Sequence, residues 1–231
     1  MLKMKTLGTL MVLFLLVISS ISAGDTATFV DLGFSPDGRI YAFAQYGVQK
    51  GTLLSWADLY IVDVPRNNFV NGGRLTYVHD SPVVFGQDGS GAFHHILRRN
   101  AALVDQHQVN NSAQGRLLYL SLDNNPTQTI EFRDFENGSS YRATLVSTIE
   151  GSGADLRSSF HISLERTARD GTRRVYTVGT PQLRRPHVTS YRIRQVMMTP
   201  LSEDSMILVI EMRLQDGSSF DIRYMVEAVR L

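Results

Sequence analysis

The sequence predicts an all-β protein of antiparallel sheets carrying one inserted amphipathic helix. Three observations make that prediction: three Asx-Gly pairs set between strand-like runs, apolar residues alternating with polar ones, and a single segment with helical spacing. The chain has 231 residues, of which 43% are hydrophobic and 19% charged, which is apolar enough for a packed core and argues against disorder. No Pro-rich or low-complexity tract divides it, so residues 24–231 read as one β-rich domain.

The first element is an address. Lys3 and Lys5 precede an apolar run from Leu7 to Ile18, and Ser19, Ser20, Ser22 and Ala23 follow it. That layout is a secretory signal peptide over residues 1–23, cleaved after Ala23. The apolar run holds twelve residues, whereas a membrane span needs about 20, so no transmembrane anchor is expected after cleavage. The chain has no cysteine, which excludes disulfides, thiolate metal sites, a cysteine nucleophile and a lipid-modified N-terminal cysteine. An exported domain held by its core alone fits a bacterial periplasm better than a disulfide-rich secretory route, and the location expected is periplasmic or secreted.

Residues 29–85 come next. Phe34-Ser35-Pro36-Asp37-Gly38-Arg39 leads into Ile40-Tyr41-Ala42-Phe43-Ala44, then a loop, Asp58 to Val64, and Arg74-Leu75-Thr76. Pro36 presets φ for a β-turn that Asp37-Gly38 completes. Residues 91–108 lack turn residues and place Phe93, Ile96, Leu97, Ala101 and Val104 on one helical face, with Ser90 as a cap for a single helix. Asn137-Gly138, Asp170-Gly171 and Asp216-Gly217 each mark a hairpin, because these residues tolerate the positive φ of tight turns. In the last strand Phe220, Ile222, Tyr224, Val226 and Ala228 share one face, and Asp221, Arg223 and Glu227 share the other. Met206–Ile210 is apolar on both faces, as a central strand should be.

The first of these segments resembles one blade of the TolB-type propeller repeat, and residues 189–229 carry a fainter echo through Tyr191-Arg192-Ile193 and Met198-Thr199-Pro200. Taken with the leader, Gln45-Tyr46-Gly47-Val48-Gln49 and the inserted helix, the chain resembles a family of predicted secreted bacterial proteins of unknown function from spirochaetes and some proteobacteria. The resemblance implies export and blade-like sheets, and brings no activity and no catalytic residue. Closing four-stranded blades takes at least four copies, or about sixteen strands, and about twelve are read here. The fold expected is therefore propeller-blade-like sheets forming an incomplete propeller or a sandwich.

Candidate chemistry is sparse. His94 and His95 are adjacent on the helix, with Arg98 and Arg99 where an i,i+4 metal partner would stand, so no metal site is expected. No G-x-S-x-G elbow, Walker A loop or dinucleotide fingerprint appears, and no cofactor is expected. Asp58 and Asp63 flank Leu59–Val62 and read as acids that hold turns rather than an acid–base pair. Residues 166–194 hold eight arginines against Asp170 alone. Arg173, Arg174, Arg184, Arg185, Arg192 and Arg194 are the candidate patch for an anionic partner, either an acidic envelope protein, a polymer or a lipid headgroup. Nucleic acid is not expected, since no stacking aromatics interleave the cluster. Trp56, in the connection around residues 45–57, is the candidate partner-binding aromatic. The function expected is a non-catalytic exported protein that engages another envelope component. The alternative is a hydrolase of an envelope polymer assembled around His161 or His187.

Overall fold

Two runs of the chain, Ile40–Val48 and Leu54–Asp63, carry alanines on one face and bulky aromatics on the other, and that asymmetry sets the layering of the molecule. A computed structural model describes residues 24–122, 127–201, 204–217 and 219–231. The leader expected over residues 1–23 lies outside them. The first sheet is a meander in chain order: β1 (Thr28–Phe34), β2 (Ile40–Val48), β3 (Leu54–Asp63) and β4 (Asn68–Pro82). Its opening turn closes as expected, with the Gly38 amide donating to Ser35 O at 2.9 Å and Gly38 at φ 70°. The loop after β2 is shorter than expected, because cross-strand pairing runs on to Val48 and Ser55.

The expected single helix is two: α1 (Ser90–Arg99) and α2 (Ala101–Gln106). Asn100 breaks it. Its backbone turns to φ −113°, ψ 18°, and its side-chain amide donates to Ile96 O at 2.7 Å, competing with helix continuation. Ser90 is not the cap either. Gly89 occupies that position at φ 82°, and the Asp88 carboxylate accepts from the Ser90 amide at 2.9 Å. Ala92 and Ile96 of α1 pack on Ala42, Ala44, Ala57, Leu59 and Ile61. The small alanines let the helix approach the sheet closely.

The second sheet comprises β6 (Thr129–Arg133), β7 (Ser140–Glu150) and β8 (Arg157–Thr167), with β9 (Arg173–Val178) and the two-residue β10 (Arg185–Pro186) along different parts of β8. The third runs β5 (Arg116–Leu120), β11 (Val188–Met198), β12 (Ser205–Asp216) and β13 (Ser219–Arg230). Every strand pair is antiparallel. Among the described residues the three sheets are open, and none closes into a ring.

The third sheet is the middle layer. Met206, Leu208 and Ile210 of β12 pack with Tyr141, Phe160, Ile162 and Leu164 of the second sheet. Ile207 and Val209, the alternate residues, pack with Phe34, Tyr41 and Phe43 of the first. Both faces of Met206–Ile210 are thus dry because a sheet lies on each side, which is a stronger condition than being a central strand.

The free edge of β13 is covered by β2 of the first sheet and by the segments before β1 and after β3. The Ile222 amide donates to Asp25 O at 2.8 Å, that of Tyr224 to the Gln45 side-chain oxygen at 2.8 Å, and that of Ala228 to the Asn67 side-chain oxygen at 2.7 Å. Asp25 is itself locked. Its carboxylate accepts from Trp56 Nε1 at 2.6 Å and from Arg223 at 2.8 Å, while the Arg223 guanidinium lies 4.2 Å from the Trp56 ring centre. Gly47 makes room: a Cβ there would stand 2.6 Å from the Asp25 carboxylate.

Asp25→Ala should leave the Trp56 N–H and the Arg223 guanidinium without their shared acceptor. The expected cost is about 2 kcal/mol. As Trp56 is the sole tryptophan, its fluorescence should shift to longer wavelength in the variant, and urea titration followed at that emission measures both effects.

Candidate functional site

Sequence places eight arginines between residues 166 and 194 with one acid among them, but folding supplies acids from elsewhere. Arg173 pairs with Glu165, Arg184 with Glu150, and Arg192 with Glu211 through two contacts of 2.6 Å. Arg194 donates to Ser121 O and ties that residue to β11, and Arg174 is exposed opposite Arg166 on β8. Arg173, Arg174 and Arg185 lie on the second sheet, Arg192 and Arg194 on the third and Arg184 in the connection before β10, and four of the six face an acid from outside the cluster.

Arg185 differs from the others. It lies on β10, 13% exposed, with its guanidinium 4.7 Å from the centre of the Phe160 ring. Its polar contacts are long: 3.5 Å to Glu227 and 3.4 Å to Leu183 O. Glu227 is 6% exposed on β13, and its other oxygen accepts from the Asn67 amide at 2.6 Å.

The position of Asn67 follows from local sequence. Asp63 ends β3 and accepts from the Arg66 amide at 3.2 Å, and Pro65 suits the single 3-10 turn Val64–Arg66. Asn67 then takes the left-handed conformation, φ 48°, ψ 49°, which asparagine tolerates better than most residues. Its side chain spans to β13, giving one hydrogen bond to Glu227 and taking one from the Ala228 amide.

Asn67 from the turn between β3 and β4, Arg185 of the second sheet and Glu227 of the third therefore meet at a cleft of about 330 Å³, whose walls include Phe69, Thr180, Leu183, Met225 and Val226. Burial pushes the Glu227 carboxyl above the usual glutamate range, against the opposing pull of the Asn67 hydrogen bond and the Arg185 charge. A buried carboxyl beside a loosely held guanidinium in a cleft is the arrangement from which binding sites are made. Of these residues, sequence reasoning singled out Arg185 alone. Asn67 between Pro65-Arg66 and a strand was a turn signal, but nothing local tied it to Glu227.

The remaining candidates fall elsewhere. Trp56 is within β3 rather than on a loop, and its ring is buried against Asp25 and Arg223, so it holds the chain's own N-terminal segment. His95 stacks on Tyr77 with ring centres 4.2 Å apart. Among the described residues no group of three histidines and carboxylates is placed to hold a metal ion. His161 lies on β8 opposite Val146 of β7, and His187 takes φ 61° beside β10, its amide donating to Leu156 O at 3.1 Å. Asp58 accepts from Gln45, Tyr60 and Thr76, which makes it a cross-strand tie.

One surface feature went unread in sequence. Leu53, Val84 and Phe85 are exposed on two loops at one end of the first sheet, joined by a 2.8 Å hydrogen bond from the Val83 amide to Leu53 O.

Fold and site together define an all-β protein of three stacked antiparallel sheets with a small helical cover and a polar cleft where the sheets meet. Residues 42–230 match the family described as "Predicted secreted protein (DUF2259)", and the chain belongs to that family of secreted proteins. The matched span runs from β2 to the last residue of β13 and so contains the whole cleft. No curated protein and no solved structure matches the chain. Among the described residues no helix is long and apolar enough to cross a membrane.

Because the Glu227 pKa is raised above its ordinary 4.5, the folded state holds its proton to higher pH than the unfolded chain does. Stability should then fall as pH rises from 4.5 through the raised value. Glu227→Gln should flatten that fall, and the difference between the two proteins' urea midpoints across about pH 4 to 8 isolates it.

Proposed function

We propose that this secreted protein is non-catalytic and acts by binding a protein partner in the bacterial envelope, through the loop end of its first sheet. The observation that carries this reading is Phe85. It is fully exposed, yet it stands on a well-made turn. The Gln87 amide donates to Val84 O at 3.1 Å, the Gln87 side-chain oxygen accepts from the Val84 amide at 3.0 Å, and Gly86 takes φ 91°. That positive φ is what the third position of a type II turn demands, and it fixes the preceding residue at the tip. An aromatic side chain displayed on a turn, with Val84 and Leu53 beside it, has the composition of an interface anchor. An apolar tip favours a protein surface over an anionic polymer, and the internal pairing of the arginines points the same way.

We also propose that the first sheet, a four-stranded antiparallel meander, is a TolB-type blade, and that the host is a spirochaete or a proteobacterium, a reading supported by the resemblance to the family of secreted proteins.

Crosslinking in intact envelopes followed by recovery of the protein tests the proposal. A reproducible partner should be captured, and Phe85→Asp should reduce its yield about tenfold, the loss typical of an interface hot spot, with the circular dichroism spectrum unchanged. Arg174→Glu should leave the yield as it was. Capture that survives Phe85→Asp but is lost in Arg174→Glu would move the contact to the arginines and defeat the reading.

A further inference from the structure

We propose that the cleft where the three sheets meet is a binding site for a carboxylate carried on an apolar body, with the Arg185 guanidinium as its receptor. The inference is independent of the Phe85 surface, which lies at the opposite end of β4 from Phe69.

The first ground is the state of Arg185. Charged hydrogen bonds between arginine and carboxylate settle at about 2.7–2.9 Å. This protein makes such pairs where they are closed: Arg116 to Asp134 at 2.7 and 2.9 Å, and Arg192 to Glu211 at 2.6 Å. Arg185 is as buried as Arg192, yet its contacts stretch to 3.5 and 3.4 Å. Its guanidinium rests over the Phe160 ring at 4.7 Å, which holds the fork at the cleft with most of its donors unspent.

The second ground is the lining. Phe69 and Leu183 are large apolar residues left exposed at the cleft, with Met225 and Val226 deeper in the wall. At about 330 Å³ the space is at the small end of ligand pockets. Receptor and walls together call for an anion with a short apolar group attached. A small aliphatic acid and the C-terminal residue of a peptide share that chemistry.

A bound carboxylate would share the guanidinium with Glu227. Two carboxylates so close retain one proton between them, and burial already favours the protonated form of Glu227. Binding therefore takes up a proton and tightens as pH falls. The charged groups facing Glu227 are Arg185 from β10 and, at the rim, Arg66 from the 3-10 turn, itself paired with Asp63. Asn67, Asn68 and Thr180 on the surrounding segments are uncharged.

The test uses the purified protein, NMR methyl signals of Leu183, Met225 and Val226, and three probes: hexanoate, a hexapeptide ending in leucine, and the same peptide amidated. Hexanoate or the free peptide should saturate these signals, more tightly at about pH 5.5 than at about pH 7.5, and the amide should not. Saturation by hexanoate identifies the free acid as sufficient; saturation by the peptide alone identifies a chain terminus. Arg185→Ala should weaken binding at least about tenfold, and Glu227→Gln should tighten it at the higher pH and remove the pH dependence. Arg185→Lys, which keeps the charge and loses the fork, serves if the alanine variant does not fold, and should also weaken binding. The proposal fails if neither acid saturates the signals, if the amide binds as well as the acid, or if binding is indifferent to Arg185.

Discussion

The five residues Met206–Ile210 are buried on both faces, and the rest of the structure is arranged to keep them so. A strand with one apolar face needs one covering layer; a strand with two needs two. With no cysteine in the chain, no crosslink can hold the layers, so the sheets must be retained by apolar area and by contacts at their seams. Replacing a buried leucine or isoleucine by alanine costs about 2–5 kcal/mol, a large part of what a domain has in total. The alternation along β12 divides that dependence: Ile207 and Val209 hold the first sheet, while Met206, Leu208 and Ile210 hold the second.

The seams are polar, and each has its own construction. Between the second and third sheets, Arg116 of β5 grips the buried Asp134 in the β6–β7 turn with two bonds. Between the first and third, three amides of β13 are satisfied by Asp25, Gln45 and Asn67 in place of another strand. An uncovered strand edge invites pairing with other chains. One backbone carbonyl and two side-chain oxygens that accept from the edge block that route and fix the register of one sheet on the next. Gln45 can serve because Asp58 accepts from its amide nitrogen at 3.1 Å, which turns its oxygen toward Tyr224.

What could be read from sequence was what neighbours in sequence decide. The Asx-Gly pairs marked true reversals, and the Ser35–Ile40 turn formed from its own Pro-Asp-Gly. Loop lengths were less legible. Asp216 pairs with Ser219 in a tight turn, whereas Asp134 pairs with Ser139 because the Asp134 carboxylate also accepts from the Glu136 amide and is held by Arg116. The helix was split by a side chain, Asn100, that the apolar spacing around it conceals. The fate of Trp56 was out of reach for a plainer reason. Its acceptor lies 31 residues away in sequence, and that acceptor's arginine lies 198 away. The cleft depends on separations of the same kind, 160 residues from Asn67 to Glu227 and 42 from Arg185 to Glu227.

Sequence distance also explains why one arginine of the cluster is left slack. Arg192 and Glu211 stand directly opposite on adjacent strands, so the ladder itself brings the pair to contact. Arg185 and Glu227 belong to different sheets, and Glu227 has a prior commitment: the Asn67 amide holds it at 2.6 Å. Asn67 cannot follow the carboxylate toward Arg185, since its other atom caps the Ala228 amide and its backbone is set by the turn after β3. Closing the ion pair would therefore uncover the edge of β13. The fold satisfies the edge and leaves the guanidinium short of a full partner, and that choice is what opens a receptor at the junction of the three sheets.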